Sequence, residues 1–159
     1  MENLSPEEFL AHNNIPFQVF IHKVLPGSVA EAASERNQKP SQVIKTLIFR
    51  RKKNSFFAVL CAGDVQVSWP KLRQAIQTPR LTTATAEEVF RITGCKPGTV
   101  SPFCLPAHLP VLVDESVKRH EIVSTGSGTK GKALILRSTD MLSCLNSPTL
   151  LHLSTSGND

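Results

Sequence analysis

Two runs of β-branched and apolar residues, VIKTLIF at 43–49 and SFFAVLC at 55–61, stand either side of a short basic segment, RRKKN at 50–54. Such residues suit a pleated, buried surface, and a short polar connection lets the second run fold back on the first. The pair predicts a hairpin with the basic run at its tip. One residue of the first run does not fit the pattern. Lys45 shares a face with Val43, Leu47 and Phe49, while Ile44, Thr46 and Ile48 take the other. Both faces are otherwise largely apolar. The ammonium therefore either snorkels out at the strand start or points into a polar cavity, because burying it unpaired is costly.

The flanking sequence supplies the remaining elements. Ser5 and Pro6 followed by Glu7 and Glu8 read as an N-cap, a proline at the first helical position and acids in the first turn. That helix ends near Asn13 and Asn14, and residues 17–21 alternate like a strand. Ser28 to Glu31 and Thr85 to Glu88 both have capping-box spacing, predicting helices over 29–37 and from 85 to a stop at Gly94. A helix is expected over 69–76. Residues 94–110 form a long Gly- and Pro-containing loop. Short strands are expected at 111–114, 120–125 and 132–137, then a last helix from 138 to 145. Leu150, Leu151 and Leu153 could add an edge strand. There is no regular strand–helix alternation, so the expectation is α/β of the α+β kind. Its sheet would be mixed, mostly antiparallel and partly closed into a barrel, with helices packed around it.

At 159 residues with 40% apolar content the chain can bury a substantial core, and residues 1–153 read as a single domain with a frayed tail at 154–159. No apolar run is long enough to span a membrane. The first residues resemble neither a signal nor a transit peptide, which predicts a cytoplasmic address. Eighteen Lys and Arg against thirteen Asp and Glu leave a net charge of +5, which suits an RNA partner or simply a solvated surface. The four cysteines, Cys61, Cys95, Cys104 and Cys144, have neither disulfide-framework nor zinc spacing and read as buried free thiols. No metal site or cofactor is expected.

Two glycine-bearing loops are candidates for chemistry. Gly126 to Lys132 nearly matches a phosphate-binding loop, but Ala133 stands where Ser or Thr is needed and a strand follows instead of a helix. Nucleotide hydrolysis is rejected; a close approach of substrate to this turn is retained. In the stretch 94–103, Gly98 and Pro102 enclose Thr99, Val100 and Ser101. The N–H groups of such a loop can hold a carbonyl or a developing oxyanion, or the loop is a plain structural turn. No metalloprotease or nucleophile-elbow motif is present. His22, at a strand end, lies on the surface or enters a pocket.

Taken in order, several of these features resemble the YbaK-like aminoacyl-tRNA deacylases, relatives of the editing domain inserted in bacterial prolyl-tRNA synthetases. They are the capped helix from Ser28, the strand carrying Lys45, Gly63 and Asp64, the cap at Thr85, Gly98 to Phe103, the strand ending in Asp114, the turn Gly126–Ser127–Gly128, and Thr139 with Asp140. The resemblance implies hydrolysis of the ester joining a wrong, small amino acid (Ala, Ser or Cys class) to a tRNA such as tRNA-Pro, by a trans-editing factor. It places Lys45, Gly98 and Ser101 in the catalytic role. His22, Thr99, Val100, Pro102, Phe103, Asp114, Gly126, Ser127 and Gly128 would bind substrate. Ser127 departs from the commoner Ala-Gly or Gly-Gly form of the late turn, which bears on amino-acid specificity. The expected partners are the aminoacyl-tRNA acceptor end and an aminoacyl-tRNA synthetase, with neither DNA nor membrane. The competing readings are a non-catalytic tRNA- or nucleotide-binding module of the same fold, and a small-molecule ester hydrolase.

Overall fold

The computed structural model describes residues 4–155. Helix α1 (Pro6–His12) starts as expected, with Ser5 Oγ accepting from Glu8 N–H at 3.1 Å. Strand β1 (Gln18–Ile21) follows, then α2 (Val29–Glu35). At α2 only half of the expected box forms: Ser28 Oγ accepts from Glu31 N–H, while the Glu31 carboxylate accepts from Gly27 N–H at 2.7 Å. The hairpin strands are β2 (Val43–Lys52) and β3 (Ser55–Ala62). Because β2 runs through Lys52, most of the basic run lies on the strand, not at the tip as expected. The turn itself is 53–54, with Asn54 at φ 59°.

Helix α3 (Trp69–Ile76) leads to β4 (Thr82–Thr83), a two-residue strand too short to leave a sequence pattern, and then to α4 (Ala86–Thr93). Both halves of the Thr85/Glu88 box are made, and Gly94 ends α4 at φ 74°. The long loop contains a single 3-10 turn, Pro102–Cys104. Strand β5 (Val111–Asp114), β6 (Ile122–Gly126), β7 (Lys132–Arg137), α5 (Ser138–Ser143) and β8 (Thr149–Leu151) complete the chain. Of the tail expected to fray, Ser154 forms a bridge with Val67 and Thr155 N–H donates to Gln66 O at 2.9 Å. The expectations for Met1–Asn3 and for 156–159 lie outside the described residues.

The strands form one mixed sheet in the order β1-β7-β6-β2-β3-β5-β8, with β4 beside β2. Four of its seven pairings are antiparallel, and the three parallel ones are β2–β6, β3–β5 and β5–β8. The sheet is open, with β1 and β8 at its ends. Apolar clusters cover both faces. Ile44, Ile48, Ala58, Leu60, Val123 and Leu134 belong to one; Phe49, Phe57, Val59, Cys61, Leu72 and Leu153 to the other. Strand β3 is buried from Phe57 through Ala62, which its unbroken apolar run requires.

One detail of the pairing positions the site. One edge of β2 is zipped to β3 from Ile44 to Lys52. The other edge meets β6 only at Val43 and Ile44, and meets β4 only at Phe49 and Arg50. Ala84 N–H caps Ile48 O at 3.0 Å, so the edge from Lys45 to Leu47 has no strand neighbour.

Candidate functional site

A cavity of about 420 Å³ opens at this gap. Its walls are residues 43–47 of β2, the loop 97–100, the end of β6 at Thr125 and Gly126, the turn 129–133, and the segment from His22 to Arg36. Packing between backbones sets its shape. A methyl group on Gly126 would lie 2.5 Å from Val100 O and 2.8 Å from Thr99 O, so only glycine lets the loop 97–100 rest on β6. Gly128, at φ 84°, donates its N–H to Thr99 O at 2.7 Å and fastens the same loop.

Six of the sequence-derived candidates line the cavity: His22, Lys45, Gly98, Thr99, Val100 and Gly126. Lys45 is half-buried and donates its Nζ to Val65 O at 3.1 Å, with no carboxylate partner among the described residues. Gly98 takes φ 85°. Thr99 closes a turn by donating both N–H (3.0 Å) and Oγ1 (2.7 Å) to Lys96 O, so its N–H is not a free donor as expected. Among the described residues, no protein group accepts from the N–H of Gly98 or Val100. His22 is not on the surface: it is 8% exposed, and both ring nitrogens are engaged, Nδ1 with Glu35 Oε2 at 2.6 Å and Nε2 with Arg36 NH1 at 2.9 Å.

The other six candidates lie outside the cavity lining. Ser101 is buried, and its Oγ caps the 3-10 turn by accepting from Phe103 N–H at 3.2 Å. Pro102 is buried in that turn, and Phe103 stacks on Phe9 with centroids 6.1 Å apart, as part of the core. Asp114 is fully buried: Oδ1 accepts from Leu153 N–H at 2.7 Å and Oδ2 from Ser116 N–H at 3.0 Å. It ties the chain end to β5. Ser127 folds its hydroxyl back onto its own turn, donating to Lys132 O at 2.7 Å and accepting from Thr129 N–H at 3.2 Å. Gly128 shapes the loop through the bond already described.

Sequence reasoning missed Arg36, Thr46 and Lys130 as lining residues. Thr46 Oγ1 is buried with no partner. Arg36 ends α2, where a basic residue reads as a solvated C-terminal charge. Only the placement of α2 against the β1 end turns it inward. Burial holds the Arg36 guanidinium below its ordinary value, and the charge of Glu35 opposes the shift. The lining contains Arg36, Lys45, Lys130 and Lys132 but no Asp, Glu or Cys. It therefore holds neither a carboxylate base nor a thiol nucleophile. It can hold an anionic or carbonyl-bearing ligand against N–H donors and cations. Among the described residues no group of three or more His, Cys, Asp or Glu could hold a metal, and no helix is long and apolar enough to cross a membrane.

A family model for the aminoacyl-tRNA editing domain matches residues 27–144, which contain nearly all of this cavity. The chain belongs to that family. Relatives of the editing domain include the proline–tRNA ligase of Bacillus licheniformis, 30% identical over 107 residues, which are 67% of this chain and 18% of the ligase. The ligase of Caldicellulosiruptor saccharolyticus is 34% identical over 91 residues, 57% of this chain and 15% of that one. The chain thus spans less than a fifth of the length of these relatives. Among solved structures, a candidate trans-editing enzyme for prolyl-tRNA synthetase superposes with a TM-score of 0.80 at 24% identity, covering 88% of this chain and 87% of its own. A hypothetical protein gives 0.83 at 24% identity, covering 94% and 98%. These two show that the fold is shared.

Proposed function

We propose that the editing domain hydrolyses, in trans, the ester linking a small non-cognate amino acid of the Ala, Ser or Cys class to a tRNA such as tRNA-Pro. The observation that carries this reading is a cavity, in a member of this family, where unpaired N–H groups and cations meet without a carboxylate. An aminoacyl ester is an activated bond, so orientation and oxyanion stabilisation suffice for its hydrolysis. Water adds to the ester carbonyl, and the N–H groups of Gly98 and Val100 receive the oxyanion. The bond to the ribose oxygen then breaks, that oxygen takes up the proton released by the water, and free amino acid leaves. A neighbouring ribose hydroxyl positions the water, because the lining offers no carboxylate and His22 has both nitrogens engaged. Lys45 anchors the acceptor end electrostatically. Size selects the amino acid: a small side chain enters beside Val100 and Gly126 and the larger cognate one does not.

One observation favours a second reading. The absence of a general base also fits a module that binds an acceptor end or nucleotide without cleaving it. Release of labelled amino acid from a panel of mischarged tRNAs separates the two, with wild type and Lys45→Ala side by side. Hydrolysis of one or two species, reduced at least tenfold in the variant, is expected. Tight tRNA binding with no release from any species would establish the binding module instead.

A further inference from the structure

The cavity wall carries a cation whose surroundings are specific. Arg36 NH1 lies 2.9 Å from His22 Nε2, and an arginine can only donate, so Nε2 is the acceptor and the imidazole hydrogen sits on Nδ1. That hydrogen is donated to Glu35 Oε2 at 2.6 Å. The line Glu35–His22–Arg36 thus engages the Glu35 carboxylate with the histidine and leaves Arg36 NH1 bonded to a ring without negative charge. Arg36 Nε is buried without a partner among the described residues, while Arg36 itself is half-buried and lines the cavity. A partly desolvated guanidinium is costly to hold, and an anionic oxygen reaching it from the cavity would offset that cost. Lys45 and Lys130 line the same cavity, and no acid does. Beside Arg36 a phosphate oxygen would be held by charge-assisted, forked hydrogen bonds.

We propose that Arg36 is the clamp for a backbone phosphodiester at the 3′ end of the bound RNA, with His22 and Glu35 as the residues that position it. The clamp rests on the proposed function, because it takes the cavity to receive an acceptor end. It adds a contact that fixes how deep the terminal nucleotide enters, and so where the ester meets Gly98 and Val100.

The test is direct binding of a 3′-terminal CCA trinucleotide, of the same trinucleotide with a neutral methylphosphonate in its last linkage, and of AMP. Wild type is compared with Arg36→Gln, which can still donate to His22, and with Arg36→Ala. Wild type should bind the charged trinucleotide about tenfold or more tightly than the neutral one. Both variants should bind the two alike, at the level of wild type with the neutral linkage. Glu35→Gln should give an intermediate loss, because it loosens the histidine without removing the guanidinium. Equal discrimination by wild type and Arg36→Gln would overturn the clamp. Arg36-dependent binding of AMP as tight as that of the trinucleotide would reassign the site to a free mononucleotide. No step of this test needs hydrolysis. A wild type that discriminates the linkages but cleaves no ester would sink the editing reading and keep the clamp.

Discussion

Asp114 and Lys45 show how a charged side chain acquires its role from its partners. Lys45 interrupts an apolar strand and Asp114 ends one, and both look like site residues in the sequence. Lys45 reaches a cavity, but Asp114 is enclosed and spends both oxygens on backbone N–H groups, one from Ser116 and one from Leu153, 39 positions along the chain. Asp114→Ala leaves two buried donors unpaired and should destabilise the protein by about 2–4 kcal/mol in denaturant unfolding. Activity per folded molecule should stay near wild type; a selective loss of activity in a fully stable variant would return Asp114 to the site. The thiols carry a pH prediction at the same scale. Burial pushes the Cys61 thiol up to about 11 from 9.0, with Lys45 opposing and Asp114 and Asp64 adding to the rise. Burial likewise raises Cys104 to about 11. In the unfolded chain these thiols ionise first, so their contribution is complete below pH 9 and is lost as pH rises towards 11. Denaturant midpoints should therefore be insensitive to these thiols at neutral pH and fall between pH 9 and 11. Cys61→Ala should flatten that fall.

At the scale of elements, the caps and the hairpin are local features and the cavity is not. Ser5, Ser28, Ser68 and Thr85 each cap the helix that follows, and three of these starts are visible as short motifs with a direct hydrogen-bonding cause. The loop 97–100 gets its shape from elsewhere, resting on Gly126 and bonded by Gly128. Gly126→Ala would drive a methyl group into two backbone carbonyls and push this loop off β6. The expected result is a protein with native far-UV circular dichroism and a hydrolysis rate lower by about a hundredfold, because displacement of a reacting group by roughly 1 Å has that effect. Native rates in Gly126→Ala would show that the loop takes no part in the chemistry. Two elements illustrate why pattern reading stops short. Strand β4 has only two residues, and the extension of β2 to Lys52 carries charge where apolar residues would advertise a strand.

Across the whole molecule, charge is distributed in a way that a net value of +5 conceals. Arg50 is bridged to Glu88 at 3.3 Å, but Arg51, Lys52, Lys53 and Arg80 line a second concavity with no carboxylate partner among the described residues. The two cavities lie towards opposite ends of β2, and Lys52 stands seven positions beyond Lys45, about 23 Å at strand rise. The second concavity is the expected contact for backbone phosphates of an RNA whose 3′ end enters the first. Replacing Arg51, Lys53 and Arg80 together by Ala should weaken tRNA binding and lower the slope of log Kd against log salt by roughly 2 to 3. Hydrolysis of a minimal aminoacyl-adenosine should be unchanged. An unaltered salt slope would place the tRNA body on another face.

What the sequence determined by itself is whatever depends on neighbours along the chain. Hydrophobic period, N-caps and glycine stops gave the order and type of the main elements. The lysine in its apolar strand and the Gly98 loop marked two walls of the cavity. Tertiary structure decided which candidates meet. Val43 pairs with Ser124 and Ile44 with Thr125, after which β2 and β6 part. That divergence opens the space at Lys45, draws Arg36 and His22 to its rim, and leaves Asp114 and Ser127 satisfied elsewhere. The physical reason is that a hydrogen-bonding group is assigned its role by whichever partner the fold brings within 3 Å. In this chain those partners commonly lie tens of residues away.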